Sequence, residues 1–298
     1  MRAVVLTSFG GLDALELADV PDPTPADGEE IVHVRAAALG PWDRQATEGY
    51  FVPLGGATAF PQVQGWDFAG ETADGRRVVG FVAQPWMGRG VLAERVAVPS
   101  ALLAPVPAGL DWAEAAALPV CAITARLLVE TGGLAADDVV VVTGAAGMVG
   151  GFAVELARAR GAQVVGAVRD RDADEARALG AGTTVDTADL AARVRRRWPG
   201  GVSACLDTLG LPGALACVRD GGALVTTQPT AVPEPDRGIT PQAVGAQPDA
   251  AALARLAEQA AGGELTVRIA ETLPLDRFRD GYDLLVRGGV RGKVVLTP

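Results

Sequence analysis

The sequence predicts an α/β chain in two parts, a β-rich half and a doubly wound parallel sheet, with a return to strand at the C-terminus. Three observations predict it. The 298 residues, 49% hydrophobic and 21% charged, form a globular chain long enough for two domains and a sizeable core. The first 110 residues read as short strands punctuated by Gly, Pro and Asp. From Asp111 onward strand-like and helix-periodic segments alternate, which specifies a parallel sheet with helices on both faces.

In order, "RAVVLT" is a strand, "PDPTPADGEE" a loop and "EIVHVRAAAL" an alternating strand. "FAGETADGRRVVGFV" reads as a hairpin turning at Asp74-Gly75, and "ERVAVPSALLAPVP" adds more strand. Asp111 caps one short helix, and a second runs from Pro119 to Val129 before Gly132-Gly133 stops it. Strands follow at "DDVVVVTG", "AQVVGAVR", "GTTVDT", "GVSACLDTLG" and "GGALVTTQP". The helices between them are "VGGFAVELARARG", "DADEARALG", "ADLAARVRRRW" and "LPGALACVRD". After the loop "QPTAVPEPDRGITPQ" come the helix "DAAALARLAEQAAGG", the strand "ELTVRIAETLPL" and a final helix and strand in "DRFRDGYDLLVRGGVRGKVVLTP". There is no internal repeat.

The most informative stretch is "VVVTGAAGMVGG" (140–151), where little side chain stands between a strand and a helix. Such a turn lets backbone N–H groups approach a pyrophosphate that any Cβ would keep away, and the helix N-terminus adds its partial positive charge. Gly144, Ala145, Gly147, Met148 and Val149 are therefore candidate cofactor contacts, with Ala145 at the usual first glycine of a Rossmann fingerprint. Gly150 allows the helix to pack on the strand. The competing reading is a purely steric turn. About 20 residues on, where an NAD enzyme places an acid for the ribose, "QVVGAVRDRD" offers Arg169. An arginine suits the 2′-phosphate of NADPH. A solvent-facing arginine is the alternative, and Asp170 beside it keeps NAD in play.

The net charge of −10 argues against a nucleic-acid partner, and no apolar run reaches the ~20 residues of a membrane span. The N-terminus lacks a signal-peptide pattern, so a cytoplasmic protein is expected. Cys121, Cys205 and Cys217 are too scattered for a disulfide framework. The one histidine, His33, shares a strand face with Ile31 and Arg35 and reads as a surface residue. No zinc ligand set can be assembled, so no metal is expected.

The chain resembles the medium-chain dehydrogenase/reductase superfamily, in its zinc-independent quinone-oxidoreductase branch. The resemblance is carried along the whole chain by "VQGWDFAGE", "AAALPVCAITARLLV", "VTGAAGMVG", "ARALGA", "LDTLG" and the terminal "RGKVVL". It implies a GroES-like catalytic domain at residues 1–118 and 270–298, and a Rossmann cofactor domain at 119–269. It also implies a cleft active site and hydride transfer from NADPH to a quinone or α,β-unsaturated carbonyl. A trans-acting enoyl reductase and a non-catalytic NADPH-binding protein are the alternatives. Thr124 and Lys293 are implied near the cofactor.

Gly40 stands where the branch carries an Asn beside the nicotinamide and substrate, and Asp172 where it often has a Lys. The resemblance places Tyr50 in the substrate pocket, as proton donor, hydrogen-bond donor or packing aromatic. It brings Asp43 near the cleft as a second catalytic candidate, with a structural ion pair to Arg44 the alternative. Gly40, Trp42, Phe51 and Trp86 complete the expected pocket, the aromatics as flat walls for a planar acceptor. Solvent is an alternative proton source. The segment "ELTVRIA" (264–270) is expected to be the last strand of the Rossmann sheet, and its unpaired edge predicts a homodimer. The alternative is a monomer whose edge is covered by the "QPTAVPEPDRGITPQ" loop.

Overall fold

The computed structural model describes residues 1–298. The chain divides into two compact units. The first comprises 1–120, 247–262 and 267–298, and the second 121–246 and 263–266.

The chain enters the first unit with β1 (Arg2–Leu6), β2 (Leu15–Asp19) and β3 (Glu29–Leu39), then α1 (Pro41–Thr47). β4 (Gln62–Val63), β5 (Asp67–Thr72) and β6 (Arg77–Phe81) follow, then α2 (Gln84–Met87), β7 (Arg95–Pro99), β8 (Ala104–Pro105) and α3 (Trp112–Ala117). β2, β1 and β4 make a small antiparallel sheet. The long β3 lies antiparallel to β5 and β7, and the expected hairpin joins β5 to β6. Along β3, Val32 and Val34 are buried while His33 and Arg35 are exposed, so His33 is a surface residue. From Ala36 to Leu39 every residue is buried, because the second half of β3 is covered on both faces. α3 begins as expected: the Asp111 carboxylate accepts from Glu114 N–H at 2.8 Å, and Glu114 reciprocates at 3.0 Å.

α4 (Pro119–Thr131) leads into the second unit. Its elements are β9 (Val139–Thr143), α5 (Met148–Ala159), β10 (Gln163–Val168), α6 (Ala173–Ala178), β11 (Thr183–Asp186), α7 (Leu190–Arg197), β12 (Val202–Asp207), α8 (Ala214–Cys217), β13 (Val218–Thr226) and β14 (Gln242–Ala243). The sheet runs β11-β10-β9-β12-β13-β14 and is parallel throughout. Its order reverses between β10-β9 and β12, the switch point at which doubly wound sheets bind ligands. Val141, Val165, Cys205, Leu224 and Leu190 fill one side of it. α8 is shorter than expected, because β13 already pairs with β12 from Val218.

The chain then forms α9 (Ala250–Ala261), β15 (Ile269–Pro274), α10 (Phe278–Arg287) and β16 (Lys293–Thr297), all within the first unit. β15 and β16 are parallel, and β16 joins β3, so the C-terminal strands complete a seven-stranded sheet. Two expectations are corrected here. α9 packs with the first unit, not the cofactor unit. The segment 264–270 is not the last Rossmann strand: Glu264–Arg268 is irregular, and Ile269 opens β15 in the other sheet. Its alternating Leu265, Val267 and Ile269 show that one face is buried but not which sheet receives it. Phe68, Val78, Val96, Leu273, Phe278 and Tyr282 belong to the first unit's core. Each fully buried Leu or Phe contributes about 1.5–3 kcal/mol over exposure.

Candidate functional site

The second unit carries the phosphate-type cradle, built on three glycines with three different reasons. Gly144 has φ +62, and a Cβ there would stand 2.6 Å from Thr208 Oγ1. A Cβ on Gly150 would overlap the Gly144 carbonyl oxygen, so Gly150 lets α5 close on the turn. Gly147 is different. Its φ is −80, the nearest atom to an added Cβ is the Gly144 oxygen at 3.2 Å, and it is exposed. No positive φ requires glycine there, and a Cβ would crowd the Gly144 oxygen without overlapping it, so the bare backbone leaves room for close approach of a ligand. Gly147 is the N-cap of the twelve-residue α5 and supplies no side-chain cap. The first-turn amides of Met148 and Val149 have no carbonyl partners within a helix, and these residues fit a dinucleotide pyrophosphate. Ala145 is fully buried, its methyl 3.1 Å from where a Cβ on Gly166 would sit, so only its backbone could serve a ligand.

The rim of this turn holds residues the sequence reading left without a role. Thr143 Oγ1 donates to Asp207 Oδ1 at 2.6 Å, and Thr208 Oγ1 donates to Thr143 O at 2.7 Å. Asp207 also accepts the N–H groups of Leu209, Gly210 and Leu211, each at 3.1 Å. The carboxyl ends of β9 and β12 are thereby locked together under the cradle. The signal was an acid followed by Thr and Gly at a strand end in "LDTLG". Arg169 follows β10, as expected. Its Nε donates to Asp172 Oδ2 at 3.0 Å, and its side chain is 59% exposed. Thr124 lies in α4, nearly buried.

The first unit carries an aromatic assembly. Tyr50 stands edge-on to Phe51 at 5.2 Å, and Phe51 contacts Trp86 at 5.2 Å and Trp66 at 5.5 Å between ring centroids. Trp66 in turn lies 6.0 Å from Trp86 and 6.2 Å from Trp42. The structure thus brings Trp42, Tyr50, Phe51 and Trp86 together and adds Trp66, which the sequence reading missed although it sits in the quoted "VQGWDFAGE". Tyr50 and Trp86 are 41% and 46% exposed. Trp86 is fixed by Nε1 donating to Leu54 O at 3.0 Å.

Asp43, expected as a catalytic residue, is placed otherwise. It is 1% exposed, and its Oδ2 accepts the Gly40 N–H at 2.7 Å, closing the first turn of α1. It makes no ion pair with Arg44, which bonds Glu48 at 2.8 Å. Burial pushes the Asp43 carboxyl up to about 7, against the pull of the Gly40 N–H and Lys293. The "GPWD" pattern, Pro at the first helical position and an acid two residues on, was a helix start. Lys293, expected at the cofactor, is also inside the first unit. It is 4% exposed, and Nζ donates to Asp67 Oδ2 at 3.0 Å and Leu39 O at 3.1 Å. Burial raises Asp67 above the ordinary carboxylate range, opposed by Lys293. Tyr282 is buried close by, and burial lifts its hydroxyl well above the usual range, aided by the Asp43 charge.

The three cysteines are buried, and burial pushes Cys205 well up and Cys217 to about 11, so both are inert thiols. No three His, Cys, Asp or Glu side chains converge in a way that could hold a metal ion.

A family model described as zinc-binding dehydrogenase matches residues 148–242. The chloroplast envelope quinone oxidoreductase homolog of Arabidopsis thaliana is 33% identical over 203 residues, 62% of this chain. That match spans 61% of the plant protein, less than two thirds of its length. The chloroplastic NADPH-dependent alkenal/one oxidoreductase of the same plant is 28% identical over 324 aligned residues, covering 100% of this chain and 80% of that protein. Among solved structures, the quinone oxidoreductase of Thermus thermophilus, described with its NADPH complex, is 31% identical with a TM-score of 0.82, and 100% of each chain is covered.

Proposed function

Because the chain belongs to the medium-chain dehydrogenase/reductase superfamily, in its quinone-oxidoreductase branch, we propose that it transfers a hydride from NADPH to a quinone or an α,β-unsaturated carbonyl. The observation that carries this reading is the Gly147-capped turn, an exposed helix start free of side chain at the switch point of the parallel sheet. The bound nicotinamide would supply the hydride. The chain's own residues would do the rest. The amides at the start of α5 would hold the pyrophosphate, and the exposed Arg169 side chain would meet the 2′-phosphate. The aromatic assembly would hold a flat acceptor. Tyr50, half-exposed, would donate a hydrogen bond or proton, with solvent as the other source, whereas Asp43 is sealed.

We read the chemistry as metal-independent, since the donor groups a zinc site needs do not converge. We also propose a homodimer, now through the outer edge of β14, the last strand of the parallel sheet.

The test is NADPH oxidation against a panel of quinones, enones and carrier-bound enoyl thioesters, with and without EDTA. Saturable oxidation with a quinone or enone, unchanged by EDTA, is expected. No oxidation with any acceptor would overturn the reading, and zinc-restored turnover after EDTA would overturn its metal independence.

A further inference from the structure

Position 40 has no side chain, and its backbone does not ask for that. Gly40 has φ −137 and ψ 170, an ordinary extended conformation. What excludes a side chain is Trp42: a Cβ on Gly40 would stand 2.7 Å from the indole Cη2 and would overlap Cε2 and Cζ2. The glycine is there to make room for the ring.

That ring is held from several directions. Lys293 Nζ lies 4.4 Å from its centroid, over the face, and is itself fixed by Asp67 and Leu39 O. Asp43 pins the turn beneath it through the Gly40 N–H. Trp66 packs beside it, and Phe51, Trp86 and Tyr50 continue the aromatic surface outward. The indole N–H groups of Trp42 and Trp66 are both buried without a hydrogen-bond acceptor. An unpaired buried donor is costly, so two in one aromatic assembly are conspicuous. Tyr50 and Trp86 are exposed on either side of Phe51, and Leu54, whose carbonyl holds the Trp86 N–H, is exposed as well. Contiguous exposed apolar surface marks a binding face. A ligand suited to these rings is flat, aromatic and uncharged, with a carbonyl oxygen that can accept from an indole N–H.

We propose that Trp42 is the specificity-determining residue of this protein, its indole taking the place of a side chain at position 40 and selecting bicyclic or larger aromatic quinones over small aliphatic enones. This deepens the oxidoreductase reading above and rests on it for the identity of the ligand as an acceptor.

The test combines calorimetric titration of the cofactor-free protein with 1,4-naphthoquinone and steady-state kinetics with that quinone and with pent-3-en-2-one. The variants are Trp42→Leu, Gly40→Ala and the double variant. Trp42→Leu and Gly40→Ala should each weaken naphthoquinone binding and raise its KM by about tenfold, the scale of one lost aromatic contact. The KM for the enone should hold. The double variant should be no worse than Trp42→Leu alone, because the new Cβ then meets no ring. Should Gly40→Ala fail to fold, Trp42→Leu decides alone.

Unchanged naphthoquinone binding in Trp42→Leu overturns the proposal, as do equal losses for both acceptors. A change in oligomeric state without a change in quinone binding also overturns it, by making the face an interface between copies. If the wild type oxidises no NADPH but binds naphthoquinone through Trp42, the oxidoreductase reading fails while this binding role stands. If it turns over acceptors with no dependence on Trp42, the reverse holds.

Discussion

Asp43 concentrates a pH dependence at a single residue. Its carboxyl is raised from 3.8 to about 7 in the folded chain, chiefly by burial, with Lys293, Asp67 and Tyr282 the ionisable groups near it. The folded state therefore keeps the Asp43 proton through a range where the unfolded state has lost it. The stability this provides is fully present below about pH 4 and is lost as pH rises through about 7. Asp43→Asn retains a carbonyl oxygen for the Gly40 N–H but cannot titrate. Relative to that variant, the wild type should lose on the order of a few kcal/mol between those limits. Parallel Tm–pH profiles for the two proteins would refute the assignment. Arg169 carries a residue-scale prediction for the cofactor. Arg169→Ala should weaken NADPH by about 1–3 kcal/mol for a lost charge-assisted contact and leave NADH nearly unchanged. Titrations that show equal losses for the two cofactors would remove Arg169 from the 2′-phosphate.

Elements explain why similar residues do different work. Gly150 and Gly147 belong to one turn, yet a Cβ on Gly150 would overlap the Gly144 carbonyl oxygen while one on Gly147 would only crowd it, at 3.2 Å. Gly150→Ala should destabilise the cofactor-free protein by about 1–3 kcal/mol, the cost of overpacking, and lower its Tm. Gly147→Ala should lower the Tm less than Gly150→Ala but weaken NADPH in a fluorescence titration; unchanged affinity would mean no phosphate approaches there. Lys293 ties β16 to β5 through Asp67, two elements far apart in sequence. Lys293→Met strands a buried carboxylate and should cost about 3–5 kcal/mol of stability. A normal Tm with a large NADPH defect would return Lys293 to the cofactor.

For the whole molecule, the association prediction moves with the corrected sheet. The loop 228–242 covers part of the β13 edge, where Gly221 N–H donates to Arg237 O at 2.9 Å and Arg237 Nη1 to Val218 O at 2.8 Å. The edge that remains is β14, whose Gln242 and Ala243 are exposed and pair on one side only, with Val225 and Thr226. Two copies joined there would extend the sheet through an antiparallel pair of β14 strands across a two-fold axis, satisfying unpaired backbone groups. Ala243→Pro, which puts a ring on that edge, should shift a dimer toward monomer in sedimentation while NADPH binding persists. A monomeric wild type at micromolar concentration would end the proposal.

The sequence by itself determined the elements and the cradle. Period-two alternation, the Asp111 capping box and the glycine spacing at 144–150 are local steric and hydrogen-bonding facts, and a chain carries them wherever it folds. It also marked Trp42, Phe51 and Trp86 as aromatics of one expected pocket, whereas Trp66, which packs among them, carried no signal of its own. Only the tertiary structure decided which sheet receives 269–274, since alternation reports a buried face without naming its partner. It likewise decided that Lys293 and Asp43 are interior groups. Their surroundings come from residues such as Asp67, 226 positions from Lys293, and burial sets what a charge can do. Gly40 shows the same division most plainly. The sequence marks the missing side chain, but the ring that fills its space becomes visible only when the chain has turned Trp42 back onto it.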